Sequence, residues 1–145
     1  MLAKTTALLL LAISLVGCAS VPMGSSTQDA ALKKFMPASN QAGIYVYRNE
    51  NFGAAVKMDV KVDDALLGQT VAKTFLYKEV LPGNHRIASI SENTDTVEIN
   101  AEAGKLYYIW QEVKMGVLYA RTKLHLVSDE EGKKGVLETK LAATQ

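Results

Sequence analysis

"VKMDVKVDDALLGQT" spans Val56 to Thr70, and its first eight residues set the fold. Val56, Met58, Val60 and Val62 alternate with Lys57, Asp59, Lys61 and Asp63, a period of two that puts the apolar set on one face of a strand and the charged set on the other. A helix would scatter both sets around its circumference. The stretch reads as a strand with one dry and one wet face, followed by a turn and a short second strand.

Moving outward in both directions, the same alternation returns between Gly, Pro, Asn and Asp punctuation every eight to twelve residues. "GIYVYR" (Gly43 to Arg48) precedes it. "TFLYKEV" (Thr74 to Val80) runs into the turn "LPGN", "HRIASIS" (His85 to Ser91) pairs back, and "TVEINA" (Thr96 to Ala101) leads to Gly104. "KLYYIWQEVKM" (Lys105 to Met115) is the longest strand; after Gly116, "VLYARTKLHLVS" puts Leu118, Ala120, Leu124 and Leu126 on one face. About seven such strands predict a mainly β fold, an antiparallel β-sandwich of the immunoglobulin-like kind. A short C-terminal α-helix completes it. Ser128 and Glu131 fit a capping box, and Asp129 and Glu130 occupy the first turn, where the helix dipole favours them. Gly132 and Gly135 each cost that helix about 1 kcal/mol against Ala, so it needs docking through Val136, Leu137 and Leu141.

The aromatic residues pose a question of layers. Adjacent strand residues point to opposite faces, so Tyr107 and Tyr108 are both core only if the helix or the preceding linker covers the outside of the sheet. The competing reading makes Tyr45, Tyr47, Tyr108 and Trp110, beside Arg48, an exposed strip suited to a glycan or protein contact.

The chain begins "MLAKTTALLLLAISLVGCAS". Lys4 supplies positive charge, Ala7 to Val16 supplies about ten apolar residues, and small residues follow, which is the pattern of a secretory signal. As a helix those residues cover about 15 Å, half the roughly 30 Å of a bilayer's hydrocarbon core, so they read as an export signal and not a span. Residues 1–17 are assigned to the signal, 18–41 to a flexible tether and 42–145 to one β domain with its helix. The tether is rich in Ser in "ASVPMGSSTQ". "DAALKKFMPASNQ" (Asp29 to Gln41) then offers a short helical turn with Leu32 and Phe35 on one side, ended by Pro37. If wholly flexible, its 24 residues reach about 27 Å.

Removing 17 of the 145 residues leaves 128, enough for one domain with a real core. Lys4 leaves with the signal, so 16 Lys and Arg fall to 15, matching the 15 Asp and Glu. A neutral, interspersed balance argues against nucleic acid, whose affinity rests on clustered cations. No polybasic run suggests anionic lipid either. His85 and His125 stand alone, without metal-ligand spacing, and no nucleophile elbow, phosphate loop or dinucleotide fingerprint appears, so no cofactor and no metal are expected. Asp59 and Asp63 share a strand face about 13 Å apart, too far for a glycosidase pair at about 9.5 Å or less.

Two resemblances follow from quoted residues. "LVGC" (Leu15 to Cys18) resembles the bacterial lipobox, which implies a thioether-linked diacylglycerol on Cys18, cleavage after Gly17 and a further acyl chain on the new amino terminus. Two or more chains make anchoring stable. Ala19 and Ser20 in place of Asp after the Cys imply the outer membrane, facing the periplasm. Beyond the lipobox, "AGIYVYR", "VKVDDALLGQT", "TFLYKEVLPGNHRI" and "AEAGKLYYIWQEV", in that order, resemble the lipoprotein domain of unknown function DUF2846 over about Gly43 to Ser128, with turns like those of PEGA-type surface modules. The expectation is a non-enzymatic, lipid-anchored envelope module with a protein or glycan partner. The alternatives are an envelope enzyme acting on glycan or peptide through His85 or His125, and a secreted, unanchored binding factor.

Overall fold

A computed structural model describes residues 20–145. The signal and Cys18 lie outside the described residues. In chain order the elements are α1 (Ser26–Leu32), β1 (Ala42–Arg48), β2 (Met58–Val62), β3 (Ala65–Thr70), β4 (Thr74–Val80), β5 (Gly83–Ile90), β6 (Thr94–Ala101), β7 (Leu106–Met115), β8 (Ala120–Val127), α2 (Asp129–Leu137) and β9 (Lys140–Leu141). The strands form two sheets, β8-β7-β1-β4-β9 and β3-β2-β5-β6. The sandwich is as expected, with nine described strands in place of about seven. It is mixed rather than purely antiparallel, because β1 pairs parallel with β7 and β4 with β9.

Ile44 and Val46 of β1 join Val60, Val62, Leu76, Ile87 and Ile109 in the core between the sheets. Tyr45 and Tyr47, on the opposite face of β1, pack with Phe75, Tyr108 and Val136 in a second core beneath the helices. The molecule therefore has three layers, and both faces of β1 are buried. Free edges are blunted as well. Asn93 and Asp95 accept the backbone N–H groups of Thr122 and Leu124 on edge strand β8, and Asn93 also donates to the carbonyl of Thr122.

Residues 20–41 correct the expectation of a flexible tether. Ser25 caps α1 by accepting from the Gln28 N–H, the Gly24 N–H donates to the Leu141 carbonyl, and the Ala143 N–H donates to the Pro22 carbonyl. Phe35 sits against Tyr45 and Tyr108 at centroid distances of 5.7 and 6.0 Å. The segment is apolar enough to roof an otherwise wet aromatic surface, and its first turn is capped by a serine that composition alone assigns to a linker.

Two further expectations change. The C-terminal helix stops at Leu137; Val136 is buried, Leu137 is exposed, and Leu141 docks from a strand instead of the helix. Ser128 does cap the helix, accepting from the Glu131 N–H. Strand β8 begins only at Ala120, so Leu118 belongs to an exposed turn, and Leu126 is half exposed at the far end of the strand.

Gly132 and Gly135 do more than weaken α2. A Cβ at Gly132 would collide with the Tyr108 ring and one at Gly135 with the Tyr47 ring, so these glycines let the helix lie directly on the tyrosines. Gly132→Ala and Gly135→Ala gain about 1 kcal/mol of helix propensity yet are expected to destabilise the protein by a net 1–3 kcal/mol or so through overpacking. Urea unfolding checks this: a variant as stable as the parent would remove its glycine from the packing argument.

Candidate functional site

The aromatic strip is mostly an internal layer, which corrects the reading of Tyr45, Tyr47, Arg48 and Tyr108 as a contact surface. Tyr45 stacks on Tyr108 at 5.1 Å, and its hydroxyl donates to the Leu32 carbonyl at 2.7 Å. Burial pushes the Tyr47 phenol up to about 12, aided by Glu131 and Glu138, and raises Tyr45 and Tyr108 well above the usual phenol range. None of these ionises near neutrality. Trp110 alone of the five is partly exposed. It stacks on His125 at 4.7 Å and lines an open groove of about 320 Å³ with Asn49, Glu50, Lys134 and Glu138.

Arg48 points between the sheets, on the same side as Ile44 and Val46. Its guanidinium donates to the carbonyls of Val56 at 2.8 Å, Thr70 at 3.1 Å and Gly53 at 3.1 Å. Burial pulls it down to about 10, against the opposing effect of Glu50, so it remains a cation at neutral pH. Carbonyl dipoles solvate it, and Arg48 thereby pins the β1–β2 loop to β3. The side chain is a strut, not a binding group.

The titratable groups form separate pairs. His85 Nδ1 lies 2.5 Å from Asp63 Oδ2 and its Nε2 lies 2.6 Å from the Leu81 carbonyl, so the doubly protonated ring donates at both nitrogens. Asp63 also accepts the Arg86 N–H, and Asp64 pairs with the Arg86 side chain. Both aspartates take positive φ, 50° and 66°, a tight hairpin turn that Asp tolerates better than most residues. His125 pairs with Glu112 at 2.8 Å on β7 and β8. Asp59 accepts from Gln69 at 2.8 Å. Among the described residues no three His, Cys, Asp or Glu side chains converge on a metal-sized site.

Strand register divides the sandwich into two ends. At one lie the Asp63–Asp64 turn, His85 and the β6–β7 turn at Gly104. At the other β1 and β7 finish and β4 starts, since Arg48 pairs with Thr74 and Tyr47 with Trp110. This Arg48 end carries the most exposed apolar residues, in the β7–β8 turn: Met115, Val117 and Leu118 are 80%, 88% and 95% exposed, with Tyr119 and, in the β1–β2 loop, Phe52 about half exposed. Glu92, from the β5–β6 turn, accepts the N–H groups of Val117, Leu118 and Tyr119 at 3.0, 3.2 and 2.9 Å. Gly116 makes room for it, as a Cβ there would strike the Glu92 carboxylate. Ser20 and Val21 lie at this end too, beside Val71 to Thr74. Sequence periodicity missed this site by running β8 through it; the available signal was an apolar run beside Gly116 with no polar partner.

Two expected outcomes follow from the pairs. The Asp63 hydrogen bond raises His85 above its ordinary 6.5, and the His85 hydrogen bond lowers Asp63 below 3.8. The pair's contribution is therefore complete below the ordinary histidine value and is lost as pH rises through the raised one; on the acid side it is lost as pH falls through the depressed aspartate value. NMR titration should place His85 above 6.5, and Asp63→Asn should bring it down; a normal value with Asp63 intact would contradict the pairing. For Arg48, each buried carbonyl left without a donor costs about 1–3 kcal/mol. Arg48→Met should thus lose several kcal/mol and speed hydrogen exchange in residues 49–57, whereas an unchanged unfolding midpoint would deny it the role of strut.

Comparison with known proteins adds relatives without a known activity. Residues 38–122 match the family described as "Protein of unknown function (DUF2846)". A protein of Haemophilus influenzae described as uncharacterized is 38% identical over 136 residues, covering 92% of this chain and 80% of the relative. No solved structure matches the chain. With the family match across most of the sandwich and the 38% identical relative, the chain belongs to the DUF2846 family.

Proposed function

We propose that this protein is a lipid-anchored envelope lipoprotein whose sandwich serves as a non-catalytic binding or structural module facing the periplasm from the outer membrane. The observation that carries the reading is the position of "LVGC" at Leu15 to Cys18, directly before the first packed residues. The chain is bonded to the domain from Pro22 onward and Ser20 lines a groove with Val71 to Thr74, so only Ala19 lies between Cys18 and the first described residue, two Cα steps or roughly 7 Å at full extension. Acyl chains on Cys18 would hold the sandwich against the bilayer surface. No helix among the described residues is long and apolar enough to cross a membrane, so lipid would be the means of attachment in this reading.

The non-catalytic part of the proposal is supported by the arrangement of the candidate acids and bases. His85 has both ring nitrogens engaged by Asp63 and Leu81, and His125 bonds a carboxylate on a sheet surface at its Nε2. Neither is hydrogen-bonded to a hydroxyl nucleophile.

The test is at the amino terminus. In the expressing cell, the mature protein should begin at Cys18 with the mass of a diacylglycerol and an added acyl chain, and Cys18→Ala should move it from the membrane to the soluble fraction without altering its unfolding. An unmodified amino-terminal peptide starting elsewhere would end the anchored reading.

A further inference from the structure

We infer that the β7–β8 tip, with Phe52 beside it, docks into the surface of the bilayer that holds the anchor, so that the sandwich stands end-on to the membrane. The inference rests on the anchored reading above and adds to it a second, protein-made contact with lipid.

Position is the first argument. Ser20 shares a surface groove with Val71 to Thr74, Thr74 pairs with Arg48, and only Ala19 separates Ser20 from Cys18, two Cα steps or a reach of roughly 7 Å. Strand β7 runs on for four residues past Gln111, its neighbour at that level, which is about 13 Å, before the turn begins. With the sandwich upright, the tip projects further toward the membrane than the anchoring residue can. The acyl chains and the tip must then meet the same surface.

The chemistry of the tip fits that surface. Met115, at the end of β7, and Val117 and Leu118, in the turn after it, are almost wholly exposed, an apolar group at a hairpin end that fluid acyl chains can surround. Irregular backbone is excluded from lipid when its polar groups are unpaired. Here Glu92 accepts three consecutive N–H groups, and the Gly116 N–H donates to the Tyr119 carbonyl at 3.1 Å. Behind the apolar residues stand Lys114 and Arg121, paired across the ladder, with Lys57 exposed on the neighbouring loop. The hairpin pairing sets Lys114 and Arg121 side by side, and such cations complement anionic headgroups. Glu112 faces Lys114 at 3.5 Å, Glu50 accepts the Val113 N–H at 3.4 Å, and Glu92, though exposed, is engaged by the N–H groups of Val117, Leu118 and Tyr119.

In the lipidated protein Cys18 is blocked, so Leu118→Cys and, at the opposite end, Ala103→Cys each supply a single free thiol on an exposed residue. A polarity-sensitive dye on that thiol is read in vesicles of phosphatidylethanolamine and phosphatidylglycerol with brominated acyl chains. The dye at 118 should shift to the blue and be quenched several-fold more than the dye at 103. Equal, weak quenching at both positions, in protein whose amino-terminal mass shows the acyl chains, would overturn the inference. So would a blue shift at 118 without bromine quenching, which would mean that protein, not lipid, covers the tip. A missing acyl mass would overturn the anchored reading, and this inference with it, and the mass spectrum identifies that case separately.

Discussion

Strand β1 has no wet face, and the architecture follows from that constraint. Ile44 and Val46 demand a second sheet; Tyr45 and Tyr47 demand a roof on the other side. A two-layer sandwich can supply only the first. The roof comes from α2 and from the segment through Phe35, and its fit depends on small details: two glycines under the rings and a Leu32 carbonyl placed to accept the Tyr45 hydroxyl. Apolar burial drives the layering; of the polar tips beneath the roof, the Tyr45 hydroxyl is bonded while the Tyr108 hydroxyl and the Trp110 ring N–H are buried without a protein partner.

Between the sheets, the Arg48 end is polar where the rest of the core is apolar. Thr70 donates to Gln111, Gln111 to Ser89, and Ser89 bonds Thr122, each at 2.6 Å, a chain that crosses from β3 to β7, back to β5 and over to β8. Arg48 joins it through the Thr70 carbonyl. Apolar contacts tolerate sliding of one sheet over another, but a chain of directional bonds does not. This seam sets how the two sheets meet and so holds the loops of that end, including the β7–β8 tip, in fixed relation.

The sandwich was legible because period two survives any tertiary context: the alternation at Val56 to Asp63 appears as β2 and its approach, and the Ser128 cap appears as the start of α2. What failed to show was anything decided by contacts distant in sequence. Residues 20–41 look like linker because their few apolar side chains make sense only against Tyr45 and Tyr108. Arg48 next to tyrosines resembles a surface feature until the carbonyls of Gly53, Val56 and Thr70 are brought to it. The lysine and arginine beside the tip, seven residues apart, become direct neighbours only in the β7–β8 register, which sequence periodicity misses by starting β8 too early.

The pairing of residues 22–24 with residues 141–143 has a consequence for the order of events in synthesis. Pro22 and Gly24 bond to a segment made of β9, the last strand in chain order, and the residues just after it, and residues 144 and 145 in turn reach across to Gly68 and Leu67. The beginning of the described chain thus has nowhere to dock until the far end arrives. Arrival of residues 140–145 then covers one edge of each sheet, that of β4 through β9 and that of β3 through Thr144. Both sheets thus wait for residues 140–145 before their edges are covered, a delay imposed by the connectivity alone.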